Sequence, residues 1–178
     1  MSKPERLGRN VIYQSPWVNL YVDRVRFPNG RIIDDYHIID FPYGAVTMIA
    51  ENDSGQIVFA RIARYATGTD EWELPAGGIQ KDESILEAAE REVLEETGYT
   101  SSKHRLIYSY YPMNGNANMQ FHIVQCKAGQ RVGDFDANEV SEVQWFTKDE
   151  VRQMLRDKAV TDGFTLTALL LWLLEEAG

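Results

Sequence analysis

The chain has 178 residues, 44% hydrophobic and 25% charged, which fits one globular domain with a modest extension and excludes a largely disordered protein. Its 27 acidic residues outnumber 18 basic ones, a formal charge of −9, which disfavours nucleic acid or an anionic membrane as a partner. Cys126 is the only cysteine, no apolar leader opens the chain and the run Ala168–Leu174 is too short to cross a bilayer; these exclude an internal disulfide and a cysteine-based zinc site, and a cytoplasmic location is expected.

Val18, Leu20 and Val22 alternate with Asn19, Tyr21 and Asp23, the period of a strand that runs on to Phe27. Pro28-Asn29-Gly30 is a turn, and Ile32 to Ile39 predicts a second strand. Gly44 to Ala50 and Gln56 to Ala63 are two more apolar runs, joined by the hairpin turn Asn52-Asp53-Ser54-Gly55. A helix is predicted from Ser84 to Thr97, because Ser84 and Glu87 have the form of a capping box and Gly98 stands where a C-terminal cap belongs. Arg105 to Tyr111, Met119 to Cys126 and Val140 to Phe146 read as strands. Thr147 with Glu150 is a second capping box, opening a short helix to about Arg156. Phe164 to Ala177 reads as a final helix, apolar enough to bury most of its circumference. Strands, a helix, more strands and then helices make an α+β layered chain, with no repeat or linker to divide it.

Chemistry concentrates between Leu74 and Tyr99. At 100° per residue, Ile85, Leu86, Ala89 and Val93 form the apolar stripe of the helix, with Glu92 and Glu96 beside it, one turn apart, and Glu95 on the other flank. Like charges at this spacing repel by roughly 0.2–0.5 kcal/mol, more when desolvated. A hard divalent cation removes that penalty, since carboxylate oxygens suit magnesium or manganese. Ala88 and Ala89 are small enough to leave room for a phosphate, and Gly77 and Gly78 end a loop, Leu74–Gly78, whose backbone can approach a ligand or metal closely. The competing reading is a solvated glutamate face.

The spacing decides between them. Gly77, Glu83, Arg91-Glu92-Val93, Glu95-Glu96 and Gly98-Tyr99 resemble the Nudix box at every defined position, with Tyr99 the soft match. The resemblance implies a Nudix-type α/β/α sandwich with a mixed sheet over residues 41–178, preceded by an antiparallel β extension over 1–40. It also implies magnesium or manganese as cofactor. Glu92 and Glu96 would be the main metal ligands, Glu95 a third, and the Ala76 carbonyl a backbone ligand. Arg91 and Glu83 would form the salt bridge that fixes the helix to its loop.

Phe27–Gly30, Asp35-Tyr36-His37, Gly44-Ala45-Val46 and Glu73–Gly77 look like the ADP-ribose pyrophosphatase branch. That branch implies a nucleotide-sugar substrate, cleaved to a nucleoside monophosphate and a sugar phosphate, and a homodimer. Trp17 and Tyr21 would serve the dimer or the nucleobase, or Trp17 simply packs. Arg61 and Arg64 stand where the branch has phosphate-binding arginines, or are ordinary surface residues. The loop 112–120, where the branch carries its catalytic glutamate, has no carboxylate here, so Glu139 is the substitute considered, against a solvated loop glutamate; Glu142 is expected to be uninvolved. His122 and Cys126 read as structural. Two other functions stay open: a nucleotide-sugar binding module that does not cleave, and a nucleoside triphosphate pyrophosphatase.

Overall fold

A computed structural model describes residues 2–174. They form two units: the chain through Gly44 together with Tyr110–Gln120, and Ala45–Ser109 together with the chain from Phe121 onward.

The first unit is an antiparallel sheet of β1 (Glu5–Gln14), β2 (Asn19–Arg26) and β3 (Ile32–Asp40), in that order. Between β2 and β3 the Gly30 N–H donates to the Phe27 carbonyl at 2.9 Å with φ at +85°, a conformation that favours glycine. The buried face of β2 is Tyr21, Asp23 and Val25; Val18, Leu20 and Val22 stay partly exposed, the reverse of what hydropathy alone suggests. Arg9 on β1 causes the reversal. Its guanidinium lies 3.9 Å over the Tyr21 ring and donates two hydrogen bonds, of 2.7 and 2.8 Å, to Asp23. Tyr21 is therefore spent on packing rather than offered as a recognition surface. The 110–120 segment joins this unit through backbone and side chains: the Ile39 N–H donates to the Asn116 carbonyl at 2.8 Å, Asn118 donates to Asp40 at 2.7 Å and accepts from the Phe41 N–H at 2.7 Å, and the Tyr36 hydroxyl donates to the Gly115 carbonyl.

The second unit contains β4 (Ala45–Glu51), β5 (Ile57–Arg64), β6 (Thr69–Glu73), β7 (Ala76–Gly78), α1 (Ile85–Thr97), β8 (Tyr99–Tyr110), β9 (Phe121–Arg131), β10 (Val140–Phe146), α2 (Lys148–Arg156) and α3 (Gly163–Leu174). The sheet runs β10-β5-β4-β9-β8 and is mixed, since β4 and β9 are parallel while β5 is antiparallel to β4, β6 and β10. One irregularity builds the site. The pairing of β4 with β5 is confined to Glu51↔Ile57 at their turn; beyond it β7 pairs with Ala45–Thr47 of β4 and β6 with Ala60–Arg64 of β5. The 69–78 segment thus fills the gap between two parted strands, and the expected loop 74–78 is partly a strand.

Both faces of this sheet are covered, as the Nudix-type sandwich requires. Ala88, Ala89 and Val93 of α1 pack on Val46, Met48, Ala50 and Val124. On the opposite face α3 packs against β4, and Phe164 stacks on Phe121, which alternation turns away from Val124. Three expectations change here. Ala88 and Ala89 are fully buried against the sheet and leave no room for a phosphate, while Leu86 is exposed. Helix α3 buries one face, Thr165, Ala168, Leu169 and Trp172, and exposes Leu166, Leu170 and Leu174; its expected residues 175–177 lie outside the described residues.

Candidate active site

Helix α1 is set by its caps. Ser84 and Glu87 close the capping box, and Gly98 takes the left-handed conformation with φ at +74°. Gly98 also lies under the chain at Gly133: a Cβ there would come within 2.3 Å of the Gly133 carbonyl oxygen. The 132–139 loop is fastened to this helix end by Val132 N–H to Gly98 O at 2.9 Å and Asp136 N–H to Glu95 O at 2.8 Å. The Asp136 carbonyl then accepts from the N–H groups of Glu139 and Val140, holding Glu139 at the end of the loop.

Glu92 and Glu96 face inward, one turn apart, and both are buried. The two carboxylates have different partners. Glu92 accepts from Arg91 Nη1 at 2.6 Å, and Glu96 accepts from the Ala76 N–H at 2.9 Å. Burial pushes Glu92 above the ordinary carboxylate range despite Arg91. Burial, reinforced by the charge of Glu92, pushes Glu96 up to about 8; the Ala76 N–H and the more distant charge of Arg64 counteract only part of it. The charge of Glu139, an exposed residue of the 132–139 loop, also raises both carboxylates.

Arg91 is the hub that holds the helix to its loop. It donates to Glu83 through Nε at 2.8 Å and Nη2 at 3.0 Å, to the Gly78 carbonyl at 3.0 Å and to Glu95 at 3.1 Å. The expected Arg91–Glu83 salt bridge is present, and it holds Glu83 below its ordinary pKa. The two glycines differ. A Cβ on Gly77 would fall 1.9 Å from Glu92 Oε1 and so displace that carboxylate, whereas a Cβ on Gly78 meets nothing within 4 Å.

The expected site residues do not all converge. Glu95 stands exposed on the helix flank with Arg91 as its partner, and among the described residues no three acidic, imidazole or thiol groups are gathered to hold an ion. Arg64 and Arg61 leave opposite faces of β5. The charge of Arg64 is felt at Glu96, whereas Arg61 pairs with Asp70 at 3.0 Å, over the Trp72 ring and opposite Glu142 in register. Trp17, 79% exposed, belongs to the other unit. His122 is bonded to Ser109 at 2.8 Å, and Cys126 is a buried thiol raised to about 12. Sequence reading left Glu73 without a role, although a glutamate among the apolar residues Trp72 and Leu74 was the available signal. It lies buried beside Arg64, on the wall of a cavity of about 530 Å³.

The donor chemistry fits a divalent cation. Two buried carboxylates with raised proton affinity are short of positive charge, Arg91 pairing with Glu92 only, and oxygen ligands are what magnesium and manganese take. No described helix is long and apolar enough to cross a membrane.

Residues 42–169 match the NUDIX domain family, and residues 5–39 match the nucleoside diphosphate sugar hydrolase N-terminal domain. The chain is 29% identical over 174 residues to an ADP-ribose pyrophosphatase of Bacillus subtilis, covering 96% of this chain and 93% of that protein. It is 30% identical over 169 residues to the methanol dehydrogenase activator of Bacillus methanolicus, covering 93% and 90% respectively. A crystal structure of an ADP compounds hydrolase has the same fold, with a TM-score of 0.85 over 99% of this chain and 97% of that one, at 20% identity. Helix α1 with its glutamates, the Gly77 loop and the Arg91–Glu83 bridge are thus the box of a chain that belongs to the Nudix hydrolase family.

Proposed function

We propose that this Nudix hydrolase cleaves the pyrophosphate of a nucleoside diphosphate sugar, with ADP-ribose and related ADP-sugars first, to a nucleoside monophosphate and a sugar phosphate. The observation that carries the reading is the pair of buried carboxylates, Glu92 and Glu96, both with raised proton affinity and both within reach of the charge of Glu139. The ADP-ribose pyrophosphatase relative and the match at residues 5–39 support the substrate class.

Glu92, Glu96, Glu95 and the Ala76 carbonyl would hold Mg2+ or Mn2+. When bound, the cation supplies neutralisation of phosphate oxygens and acidification of water. The chain's own groups do the rest. Arg91, anchored by Glu83, keeps Glu92 and the Gly77–Gly78 backbone in register. Arg64 binds phosphate oxygens, and Glu139 accepts the proton of the attacking water. The Asn-rich loop 112–120 has no carboxylate, which leaves the base to the 132–139 loop. Exposed Val11, Ile12, Tyr13 and Trp17 on the 1–40 extension support a homodimer through that segment, and Trp17 serves that surface or the nucleobase.

Hydrolysis of a panel of nucleotide sugars, dinucleoside polyphosphates and triphosphates with Mg2+ or Mn2+, with products identified by phosphorus NMR, tests the activity. ADP-sugars are expected to lead. Binding of ADP-ribose without cleavage under any divalent metal would leave a binding module instead. Sedimentation showing a monomer at micromolar concentration would remove the dimer.

A further inference from the structure

We propose that Glu73 is a positioning residue for Arg64: its carboxylate grips one edge of the guanidinium so that the other edge is presented to the phosphates of the substrate. The inference rests on the reading above and adds to it a residue that acts through Arg64 alone.

The geometry is one-sided. Arg64 Nε lies 3.1 Å from each oxygen of Glu73, and Nη2 lies 2.5 Å from Oε2. Nη1 has no partner among the described residues, and the Arg64 side chain is 44% exposed. Glu73, by contrast, is 1% exposed and sits on β6. Both residues line the cavity described above, and the charge of Arg64 extends to Glu96. A guanidinium held by Nε and Nη2 and open at Nη1 is an arginine pre-set to donate to an anion that enters this cavity.

Stability does not explain why a carboxylate occupies this position. Burial pushes Glu73 above its ordinary pKa, and the pull of Arg64 does not outweigh it. Arg64, half in solvent, is raised by the same pair, so the contact secures the arginine while burdening the glutamate. A neutral side chain of the same shape removes that burden, and Arg64, half in solvent, keeps its hydration. What it would lose is orientation: an untethered arginine on a strand end must be ordered by the ligand, and pre-ordering transfers that cost to folding.

The test is a double-mutant cycle with E73Q, R64A and the double variant. Two readouts are used: calorimetric affinity for a methylene-bridged ADP-ribose analogue with Mg2+, and kcat/KM for ADP-ribose. E73Q is expected to melt no lower than the wild type and to lose about 10–100-fold in both readouts, the range for a residue one shell behind a ligand group. The double variant is expected within about threefold of R64A, since residues acting through one contact are not additive. If R64A fails to fold because its Glu73 is stranded, the double variant is compared with E73Q and is expected to bind no tighter, since E73Q keeps an untethered Arg64; tighter binding by the double variant would overturn the proposal. Wild-type affinity in E73Q, or losses that multiply in full in the double variant, would overturn the proposal. A wild type that binds the analogue and cleaves nothing would overturn the hydrolase reading while leaving the Arg64–Glu73 coupling measurable; no binding at all would overturn both.

Discussion

Asp23 in the first unit and Glu96 in the second are each 4% exposed, yet their proton affinities move in opposite directions. Asp23 is covered by the arginine that neutralises it, on a thin three-stranded sheet, and Arg9 pulls it below the ordinary carboxylate range. Glu96 lies deep between helix and sheet, with one backbone N–H as its hydrogen-bond partner and a second carboxylate one turn away, and is pushed up to about 8. Equal coverage therefore does not mean equal role. A carboxylate that the chain itself satisfies serves the fold, whereas one that the chain leaves short of positive charge serves a ligand.

The largest expected effect lies at the deprived carboxylate. E96Q should lose more than about a hundredfold in turnover, beyond the range typical of residues one shell behind a metal ligand. Its metal-free stability should be unchanged or higher; wild-type turnover at saturating magnesium would remove Glu96 from the site. Glu139 comes next: E139Q should lower kcat by about 10²–10⁴-fold with little change in KM, the usual contribution of a general base. E142Q should be nearly silent, because Glu142 faces Arg61. Steady-state kinetics on both variants separate the two glutamates, and full activity in both would place the base elsewhere.

Stability against pH sharpens the contrast between the two buried carboxylates. The folded pKa of Glu96 lies above its unfolded value, so its contribution is full below about pH 4.5 and is lost as pH rises towards 8. At about 1.4 kcal/mol per pKa unit, this amounts to at most several kcal/mol. Chemical denaturation of the chelated protein should show that decline in the wild type and a flatter profile in E96Q. Asp23 has the opposite sign: its folded pKa is depressed, so its contribution is present above about pH 4 and is lost on acidification. R9A should accordingly cost about 1–3 kcal/mol at neutral pH, the loss of charge-assisted bonds, and less in acid. The smallest effects separate the two glycines. G77A should displace Glu92 and lower activity, and G78A, with open space around it, should behave as the wild type apart from small backbone effects.

What could be read from the sequence was whatever is written locally. Ser84 with Glu87, Thr147 with Glu150 and Gly98 mark the helix ends because a cap needs only neighbouring residues, and all were found in place. Strands β6 and β7 were not legible, because they exist through the parting of β4 from β5, a tertiary event with no signature in 69–78. The buried face of β2 was not legible for the same kind of reason: Asp23 goes inside because Arg9, fourteen residues earlier, covers it. In the site, the spacing of Glu92, Glu95 and Glu96 exposed the box, but its unequal exposure did not follow from spacing. Arg61 and Arg64 read as a pair, and a strand's alternation separated them. Glu139 could be considered only through family resemblance, since what brings it to α1 is the close approach of Gly98 to Gly133.

The central claim is that Glu96 is kept short of positive charge for a divalent cation, and proton release on metal binding tests it most directly. Metal-free protein is titrated with Mn2+ near pH 7 by calorimetry in buffers of different ionisation enthalpy. A carboxylate with a pKa of about 8 is largely protonated there, so a large fraction of one proton per bound ion should be released by the wild type and far less by E96Q, which should also bind more weakly. Equal affinity and equal proton release in the two proteins would contradict the claim.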